Sequence, residues 1–329
     1  MKTLYFLAAV CILALVPFIV SSSSLMFKGD KLARDGKYEE ALLYYQDAKK
    51  SFPLMIGLSA KVKATQVLLD SELEYGQIDQ VYAETQVLPP ASAPTLTRPL
   101  SNGELFVPIL MSHHIRPNPR PYDPTWASLN TSSDLLDTEL AYLVNNNYHV
   151  ITLDDLKKAL TQDFSLPENP VILTFDDGYE NFYTTAFPIL KKYNLKATIF
   201  VITQGVENNK AYLTWSQIEE MYKSGLITIG AHTQHHPNLP DLTNSLIERE
   251  IIGSRDDIKN HIGESPKWFA YPYGSYNNFA IDTVRSAGFE GAVSTIYSAI
   301  QNKERIYLLP RIMADGRFSI PEFAKRLQK

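Results

Sequence analysis

The spacing of hydrophobic and polar positions changes along the chain. From about residue 105 onward, short apolar runs alternate with segments whose apolar residues recur every three or four positions. The candidate strands are 106–111, 149–153, 171–175, 197–202, 227–232, 268–273, 291–294 and 307–312, and the candidate helices include 134–146, 180–192, 215–224, 243–261 and 277–287. Continuously apolar strands that alternate with helices are typical of a parallel sheet buried on both faces. About eight such units predict an α/β fold, a closed or distorted (β/α) barrel, with an open doubly wound sheet as the alternative.

Residues 28–82 are expected to form a small helical region before the barrel. Their apolar positions have helical spacing, and Gly36 interrupts the pattern, so two helices joined by a turn fit it best. The segment from Gly36 to Ala41, followed by Tyr45, resembles a single tetratricopeptide repeat. Because stacks of this repeat usually need about three copies, a helical spacer is the simpler interpretation, and a surface for a protein partner is the other. Residues 83–104 contain four prolines and predict an extended linker.

Residues 1–27 have the pattern of an export signal or a membrane anchor. No charged residue lies between Lys2 and Lys28, and residues 4–20 are almost entirely apolar. A short positive start, an apolar stretch and small residues after it are typical of a secretory signal. The apolar stretch is also nearly long enough to span a bilayer. We therefore expect an exported protein, which is periplasmic, on the cell surface or secreted, with residues 4–20 either removed or retained as an anchor.

Composition excludes several classes of function. The chain has 329 residues, of which 36 are acidic and 31 are basic, and its formal net charge is −5. This balance argues against nucleic acid as a partner, because nucleic-acid binding needs a basic surface. The chain has one cysteine, Cys11, so it has no internal disulfide and no cysteine-ligated zinc or iron–sulfur centre.

Two adjacent carboxylates, Asp176 and Asp177, follow the strand predicted over 171–175. Neighbouring negative charges at a strand end are unfavourable unless a cation or a proton separates them. Gly178 allows the chain to turn tightly there. Because adjacent positions point in different directions, one carboxylate can bind a metal ion while the other acts as a base. Taken alone, the same sequence is equally typical of an ordinary turn.

Five of the seven histidines lie at the ends of two predicted strands. His232, His235 and His236 lie at one end, and His113 and His114 lie at the other. His232 and His236 are four residues apart and can share one face of a helical turn, which suits joint metal coordination, with His235 as the alternative partner of His232. In a (β/α) barrel the carboxyl ends of the strands meet on one face, so the histidines and the carboxylate pair predict a single site.

Three stretches resemble the motifs of the polysaccharide deacetylases, carbohydrate esterase family 4, in the order that this family has them. They are Leu173–Tyr179 (LTFDDGY), His232–Pro237 (HTQHHP) and Phe269–Gly274 (FAYPYG). The resemblance covers about residues 105–329. It implies a distorted (β/α) barrel that removes N- or O-acetyl groups from carbohydrate. By the family's pattern, Asp176 would be the catalytic base, and Asp177, His232 and His236 would bind one divalent metal ion.

The chain departs from the common pattern of this family in two respects. Ala270 stands where the third motif often begins with arginine, and the family's two C-terminal motifs are not visible. A branch resembling the poly-N-acetylglucosamine deacetylases accounts for both departures, since its catalytic histidine comes from the start of the domain. Val107–Ile115 resembles that segment, and His113 takes the position of the histidine. Leu309–Ile312 also resembles this branch, and Arg311 would replace the missing arginine.

The resemblance and the residue chemistry imply the same mechanism. Zinc is the expected metal, and cobalt, nickel and iron are compatible with the same ligands. The metal would polarise the acetyl carbonyl and acidify water, and Asp176 would remove the proton. The backbone N–H of Tyr273 would help to stabilise the oxyanion, and His113 would protonate the departing amine. Arg311 would keep Asp176 ionised and oriented. The implied substrate is an N-acetylated polysaccharide or oligosaccharide.

Two other functions remain open at the level of the sequence. One is a metal-dependent amidase that acts on a non-sugar amide, for which a closed pocket would be expected instead of an open groove. The other is a non-catalytic carbohydrate-binding or scaffold protein that uses its N-terminal helices. A base beside a metal site argues against the second, because binding alone needs no base. Membrane contact is expected only through the N-terminal segment.

Overall fold

The computed structural model describes residues 24–33, 38–51, 62, 65–66, 103–119 and 123–328. The chain divides into two compact units at Pro90 and Ala91. The predicted signal or anchor over residues 4–20, Cys11 and most of the predicted linker lie outside the described residues. Within the described part of the chain, no helix combines the length and the apolar character that a membrane crossing requires.

The described residues of the first unit are helical. Residues 24–33 form one helical segment, and helix α1 spans Tyr38–Ser51. Ala33, Ala41, Tyr45 and Ala48 are buried in one apolar cluster. The Tyr45 hydroxyl donates a hydrogen bond of 2.6 Å to the Asp30 carboxylate. The two segments lie on either side of Gly36, at which the spacing predicts a turn, and Gly36 itself lies outside the described residues.

The second unit contains all the strands among the described residues and eight further helices. The strands are β1 (Leu105–Phe106), β2 (Ile109–Ser112), β3 (His114–Ile115), β4 (Asn130–Thr131), β5 (His149–Val150), β6 (Pro170–Phe175), β7 (Ala197–Val201), β8 (Ile227–Ala231), β9 (Trp268–Ala270), β10 (Gly291–Tyr297), β11 (Ile300–Gln301) and β12 (Leu309–Met313). The helices are α2 (Pro124–Leu129), α3 (Ser133–Asn145), α4 (Leu153–Thr161), α5 (Phe187–Tyr193), α6 (Trp215–Lys223), α7 (Asn244–Ile262), α8 (Asn278–Ser286) and α9 (Ile320–Arg326).

Seven of these strands form a closed parallel barrel. Their order around the ring is β2, β12, β10, β9, β8, β7 and β6, and β6 pairs with β2 to close it. Every pairing in the ring is parallel. Strand β5 pairs with β6 from outside the ring, while β1 pairs with β11 and β3 pairs with β4 in separate two-stranded sheets. The predicted (β/α) barrel is therefore confirmed, and closure excludes the open doubly wound sheet.

Some predicted elements have different ends in the structure, and local chemistry explains the differences. The strand predicted over 106–111 is divided into β1 and β2, since Pro108 between them has no N–H for a ladder hydrogen bond. The strand predicted over 149–153 ends at Val150. There Thr152 caps helix α4, which the apolar spacing did not indicate, through a reciprocal capping box with Asp155.

The helix predicted over 180–192 begins as a π-helix. Phe182–Ala186 has π-helical hydrogen bonding, and α5 follows it directly. Pro188 has no N–H for an α-helical bond to the carbonyl group four residues earlier, so an irregular turn before it is physically reasonable. The helices predicted over 134–146, 215–224, 243–261 and 277–287 correspond to α3, α6, α7 and α8.

Side chains of the barrel strands alternate between two apolar layers. Along β6, Leu173 and Phe175 pack in a cluster that includes residues of the surrounding helices. Ile172 belongs to a second cluster, formed mainly by strand residues, that fills the barrel. Because side chains on a strand alternate with a period of two, Asp176 continues the direction of Ile172 toward the inside of the barrel.

The carboxyl group of Glu139, on helix α3, is buried in the apolar layer between the helices and the barrel. It is 3% exposed and lines a small cavity beside Leu136, Leu140 and Phe323. Its Oε1 atom has no hydrogen-bond partner among the described residues. Burial raises the pKa of the Glu139 carboxyl group from an ordinary 4.5 to about 8.

Glu139 should therefore make folding stability depend on pH. The folded state binds the Glu139 proton more tightly than the unfolded state does. Proton binding therefore stabilises the folded state fully below about pH 4.5, and this contribution to the free energy of unfolding is lost as the pH rises toward about 8. Glu139→Gln stays neutral, so the stability difference between wild type and variant should change by up to about 1.4 kcal/mol per pH unit in that window. Urea unfolding at several pH values measures it, with exposed Glu304→Gln as the control. Identical pH slopes for wild type and Glu139→Gln would contradict the prediction.

Candidate functional site

The carboxyl ends of the barrel strands bring the predicted site residues to one rim. Asp176 and Asp177 follow β6, His232 follows β8 and His113 follows β2, while Arg311 lies within β12. All the ring strands run in the same direction, so these positions lie at the same end of the barrel. Residues far apart in sequence are therefore neighbours in space.

Asp177, His232 and His236 form a group that can hold a metal ion. The Asp177 Oδ1 atom lies 3.4 Å from His232 Nε2 and 3.5 Å from His236 Nε2. The two Nε2 atoms are 3.1 Å apart. One ligand atom from each residue lies within 4.8 Å of the others. Two imidazoles and one carboxylate are a ligand set that zinc and similar cations accept, and it leaves coordination positions open for substrate.

Contacts with neighbouring residues orient the imidazole rings of His232 and His236 toward Asp177. His232 Nδ1 lies 2.8 Å from the carbonyl oxygen of Ala270, to which its N–H donates, and this leaves Nε2 to face Asp177. The ring of Tyr273 packs edge-on against that of His236, with centroids 4.5 Å apart. Burial and the neighbouring His232 lower the pKa of His236 to about 4, so its ring is neutral at pH 7 and has a free lone pair.

The segment between the two histidines differs from the expected helical turn. Residues 232–236 are an irregular loop in which Thr233 and His236 have φ values of 63° and 59°. The Thr233 hydroxyl accepts a hydrogen bond of 2.9 Å from the backbone N–H of His236. This turn brings His236 back to His232. His235, the alternative partner, points elsewhere, with its Nδ1 atom 2.8 Å from Glu250.

Asp177 has an unusual backbone conformation. Its φ value is 74°, in a region that residues with a side chain seldom adopt, and Gly178 follows with a φ of 75°. A Cβ atom at Gly178 would lie 3.1 Å from Val201, so the chain packs closely there. Burial alone would raise the pKa of Asp177, but His232, His113 and His236 outweigh burial and hold the pKa well below its usual range.

Arg311 is the buried counter-ion of Asp176. Its Nη1 and Nη2 atoms each donate to a different oxygen of the Asp176 carboxylate, at 2.7 Å. Arg311 is 1% exposed and is itself held by the Ser294 carbonyl oxygen and the Thr174 hydroxyl. Burial alone would raise the pKa of Asp176, but the charge and the hydrogen bonds of Arg311 outweigh it, so the pKa lies below its ordinary value. Asp176 is therefore an ionised carboxylate.

The two histidines after β2 have different surroundings. His114 is buried, with its ring centroid 3.6 Å from that of Tyr179 and its Nδ1 atom 3.1 Å from the Asn181 amide. Burial lowers the pKa of His114 to about 4. His113 is half-buried, and its charge contributes to the lowered pKa of both Asp176 and Asp177. Its buried Nδ1 atom has no hydrogen-bond partner among the described residues. His113 is therefore the more accessible of the two histidines.

Tyr273 lies at the rim, beyond the end of β9. The strand predicted over 268–273 ends at Ala270, because Pro272–Gly274 forms a 3₁₀ turn in which Tyr273 has φ 58° and ψ 8°. Its side chain is 66% exposed beside His236. Ser294, which holds Arg311 from behind, has no signature that sequence analysis could recognise, because it acts through its backbone carbonyl oxygen in the folded barrel.

Comparison with known proteins places this site in a family. The family model described as "Polysaccharide deacetylase" matches residues 164–292. YxkH of Bacillus subtilis, whose name assigns it to the polysaccharide deacetylases, is 32% identical over 222 residues, which cover 68% of this chain and 76% of that protein. The poly-β-1,6-N-acetyl-D-glucosamine N-deacetylase of Escherichia coli K12 is 25% identical over 246 residues, and the match covers 62% of this chain but 36% of that longer relative.

Solved structures show the same architecture. The Streptococcus pyogenes deacetylase PplD, in complex with acetate, has a TM-score of 0.62 and 28% identity, and the match covers 72% of this chain and all of PplD. IcaB from Ammonifex degensii has a TM-score of 0.60 and 25% identity, with 68% of this chain and 97% of IcaB covered. The family model covers the segment that carries Asp176, Asp177, His232 and His236, and the chain belongs to the polysaccharide deacetylase family.

Proposed function

We propose that the chain is a metal-dependent deacetylase that removes N-acetyl groups from an extracytoplasmic polysaccharide. Its family supports a hydrolase acting on the acetyl groups of carbohydrate. Metal dependence and N-acetyl chemistry are proposed from one observation. The buried Asp176 carboxylate, which Arg311 holds ionised, lies at the same rim as the candidate metal ligands Asp177, His232 and His236. This arrangement combines a base with a candidate metal site, and together these can activate water for attack on an unactivated amide.

The residues of this group fit a resident divalent cation. Asp177, His232 and His236 would hold it, because one carboxylate oxygen and two imidazole nitrogens converge there. When bound, such a cation supplies Lewis acidity that polarises the acetyl carbonyl and makes water more acidic. Zinc is the proposed metal, and the same ligands accept cobalt, nickel or iron.

Asp176 and His113 would then move the two protons of the reaction. Each Asp176 oxygen accepts one hydrogen bond from Arg311 and retains a second lone pair, so the carboxylate can take a proton from the attacking water. His113 would give a proton to the amine nitrogen as the carbon–nitrogen bond breaks, because an amine anion is a very poor leaving group. The half-buried position of His113 directly after β2, at the same rim as Asp176, supports this role.

Tyr273 would stabilise the oxyanion through its backbone N–H. The proposal depends on the turn after β9, which holds Tyr273 directly beside the metal-ligand candidate His236. The exposure of Tyr273 indicates a rim that is open to solvent, and an open rim suits a polymer better than a small non-sugar amide. A purely binding or scaffolding role would leave the Asp176 base without a purpose.

The remaining regions are assigned by sequence pattern. We take residues 1–27 as an export signal or anchor, 28–82 as a helical spacer with protein contact as the other role, 83–104 as the linker and 105–329 as the catalytic domain. An N-acetylated polysaccharide is the proposed substrate. In support, relatives from Escherichia coli and Staphylococcus aureus are named poly-β-1,6-N-acetyl-D-glucosamine N-deacetylases.

Metal retention tests the ligand assignment. His232→Ala should lose the bound metal and acetate release together, because it removes one of three converging ligand atoms. His235→Ala should keep both, since His235 points toward Glu250. The measurement is metal content by mass spectrometry after desalting of the full-length proteins. Full metal occupancy in His232→Ala would contradict the assignment.

Two substrates distinguish the base from the acid. Asp176→Asn should lose about 10²–10⁴-fold in turnover on both an N-acetyl sugar and an activated aryl acetate, because both require attack by water. His113→Ala should be severely impaired on the N-acetyl sugar but much less so on the aryl acetate, whose leaving group departs without a proton. Steady-state turnover of each variant gives the comparison. Equal losses on the two substrates in His113→Ala would exclude His113 as the acid.

The Arg311–Asp176 pair should set the acidic limb of the pH profile. Replacing Arg311 by methionine removes the strongest interaction that opposes burial, so the pKa of Asp176 should rise and the base should ionise only at higher pH. The acidic limb of kcat/KM should therefore move upward by about 1–3 pH units. Arg311→Lys retains the charge and should move it less, and it serves as the control if the methionine variant folds poorly. An unchanged acidic limb in a folded Arg311→Met would show that Asp176 is not the base.

A further inference from the structure

The loop that carries two of the proposed metal ligands is not stable by itself. Thr233 and His236 both have positive φ values, a conformation that is unfavourable by about 1–3 kcal/mol for a residue with a side chain. Such a conformation persists only where surrounding groups hold it. The hydrogen bond from the His236 N–H to Thr233 lies within the loop, so the loop also needs an anchor from another part of the fold.

Helix α7 provides that anchor through Glu250. One oxygen of its carboxylate accepts hydrogen bonds from the backbone N–H groups of Gln234, at 3.0 Å, and His235, at 2.9 Å. The other oxygen lies 2.8 Å from His235 Nδ1. Glu250 is 8% exposed. Backbone N–H groups that donate to a buried carboxylate form strong hydrogen bonds, and these two lie between the ligands His232 and His236.

The same face of α7 continues the contact along the helix. Gln234 Nε2 donates to the Asp257 carboxylate at 2.9 Å, and the Thr203 hydroxyl, in the loop after β7, donates to the same oxygen at 2.6 Å. A Cβ atom on Gly253 would lie 2.4 Å from the Gln234 side chain, so the glycine makes room for it. Glycine within a helix is unfavourable by about 0.5–1 kcal/mol relative to alanine, and this fit accounts for its presence.

We propose that Glu250 is a positioning residue for metal binding, because it fixes two of the four peptide groups that separate His232 from His236. It is not one of the three proposed metal ligands. Gly253 and Asp257 complete the surface of α7 on which Gln234 rests. This inference rests on the proposed function, since the function assigns the metal to these histidines. Loss of a group that orients metal ligands typically weakens metal affinity by about 10- to 100-fold, and Glu250→Ala should fall in this range.

Zinc affinity of the full-length chain, measured by competition with a chromophoric chelator, tests the proposal. Glu250→Ala should bind zinc about 10- to 100-fold more weakly than wild type while it keeps its circular dichroism spectrum. Glu248→Ala is the matched control, because Glu248 lies exposed on the same helix. His235→Ala should also bind normally, since it retains the backbone N–H that Glu250 holds. Unchanged zinc affinity in folded Glu250→Ala would overturn the proposal.

Two conservative variants show whether Glu250 acts by holding the loop in place or by its negative charge. They test the proposal even if Glu250→Ala does not fold. Glu250→Gln keeps a carbonyl oxygen at the right distance for both N–H groups, so it should restore most of the affinity. Glu250→Asp keeps the charge but is shorter, so it should restore less. Tighter zinc binding by Glu250→Asp than by Glu250→Gln would overturn positioning in favour of a charge effect. If wild type itself binds no zinc, the proposed function fails, whereas tight binding by wild type and all variants refutes only the role of Glu250.

Discussion

Two neighbouring carboxylates, both buried, set the requirements for the rest of this site. Asp176 and Asp177 are 4% and 7% exposed, and like charges so close together cannot both be ionised without counter-charges. The left-handed backbone of Asp177 turns its side chain away from that of Asp176, so each carboxylate has its own partners. Arg311 lies against Asp176, and the imidazoles of His232 and His236 lie against Asp177.

The closed barrel makes this division possible. Strand β2 lies between β12, which carries Arg311, and β6, which carries the carboxylates, so the guanidinium group reaches across the inside of the ring to Asp176. A fixed cation of the protein keeps the base ionised whether or not the neighbouring site is filled. The second carboxylate, that of Asp177, is left for the proposed divalent cation. The proposed chemistry needs both, because the base must be charged while the metal activates the acetyl group.

The sequence predicts the parts of this site that depend on local or periodic signals. The strands can be predicted because they are continuous apolar runs. Asp176, Asp177 and His232 can be recognised as site residues because they come directly after two of these runs. The prediction of a helical turn between His232 and His236 is wrong. The loop depends on positive φ values at Thr233 and His236, and such values at residues other than glycine have no sequence signature. The role of Glu250 could not be predicted from the sequence either. One acidic residue on a long helix is ordinary, and its hydrogen-bond partners lie 15 and 16 residues away along the chain.

Acetate release after removal and return of metal tests the central claim most directly. The full-length chain is depleted with a chelator and assayed on poly-β-1,6-N-acetylglucosamine, chitin oligomers and peptidoglycan, before and after zinc is added. We expect no release from the depleted protein, and release from at least one polymer that rises with zinc up to one equivalent per chain. Equal release without metal, or none from any polymer by a chain that has bound one equivalent of zinc, would contradict the account.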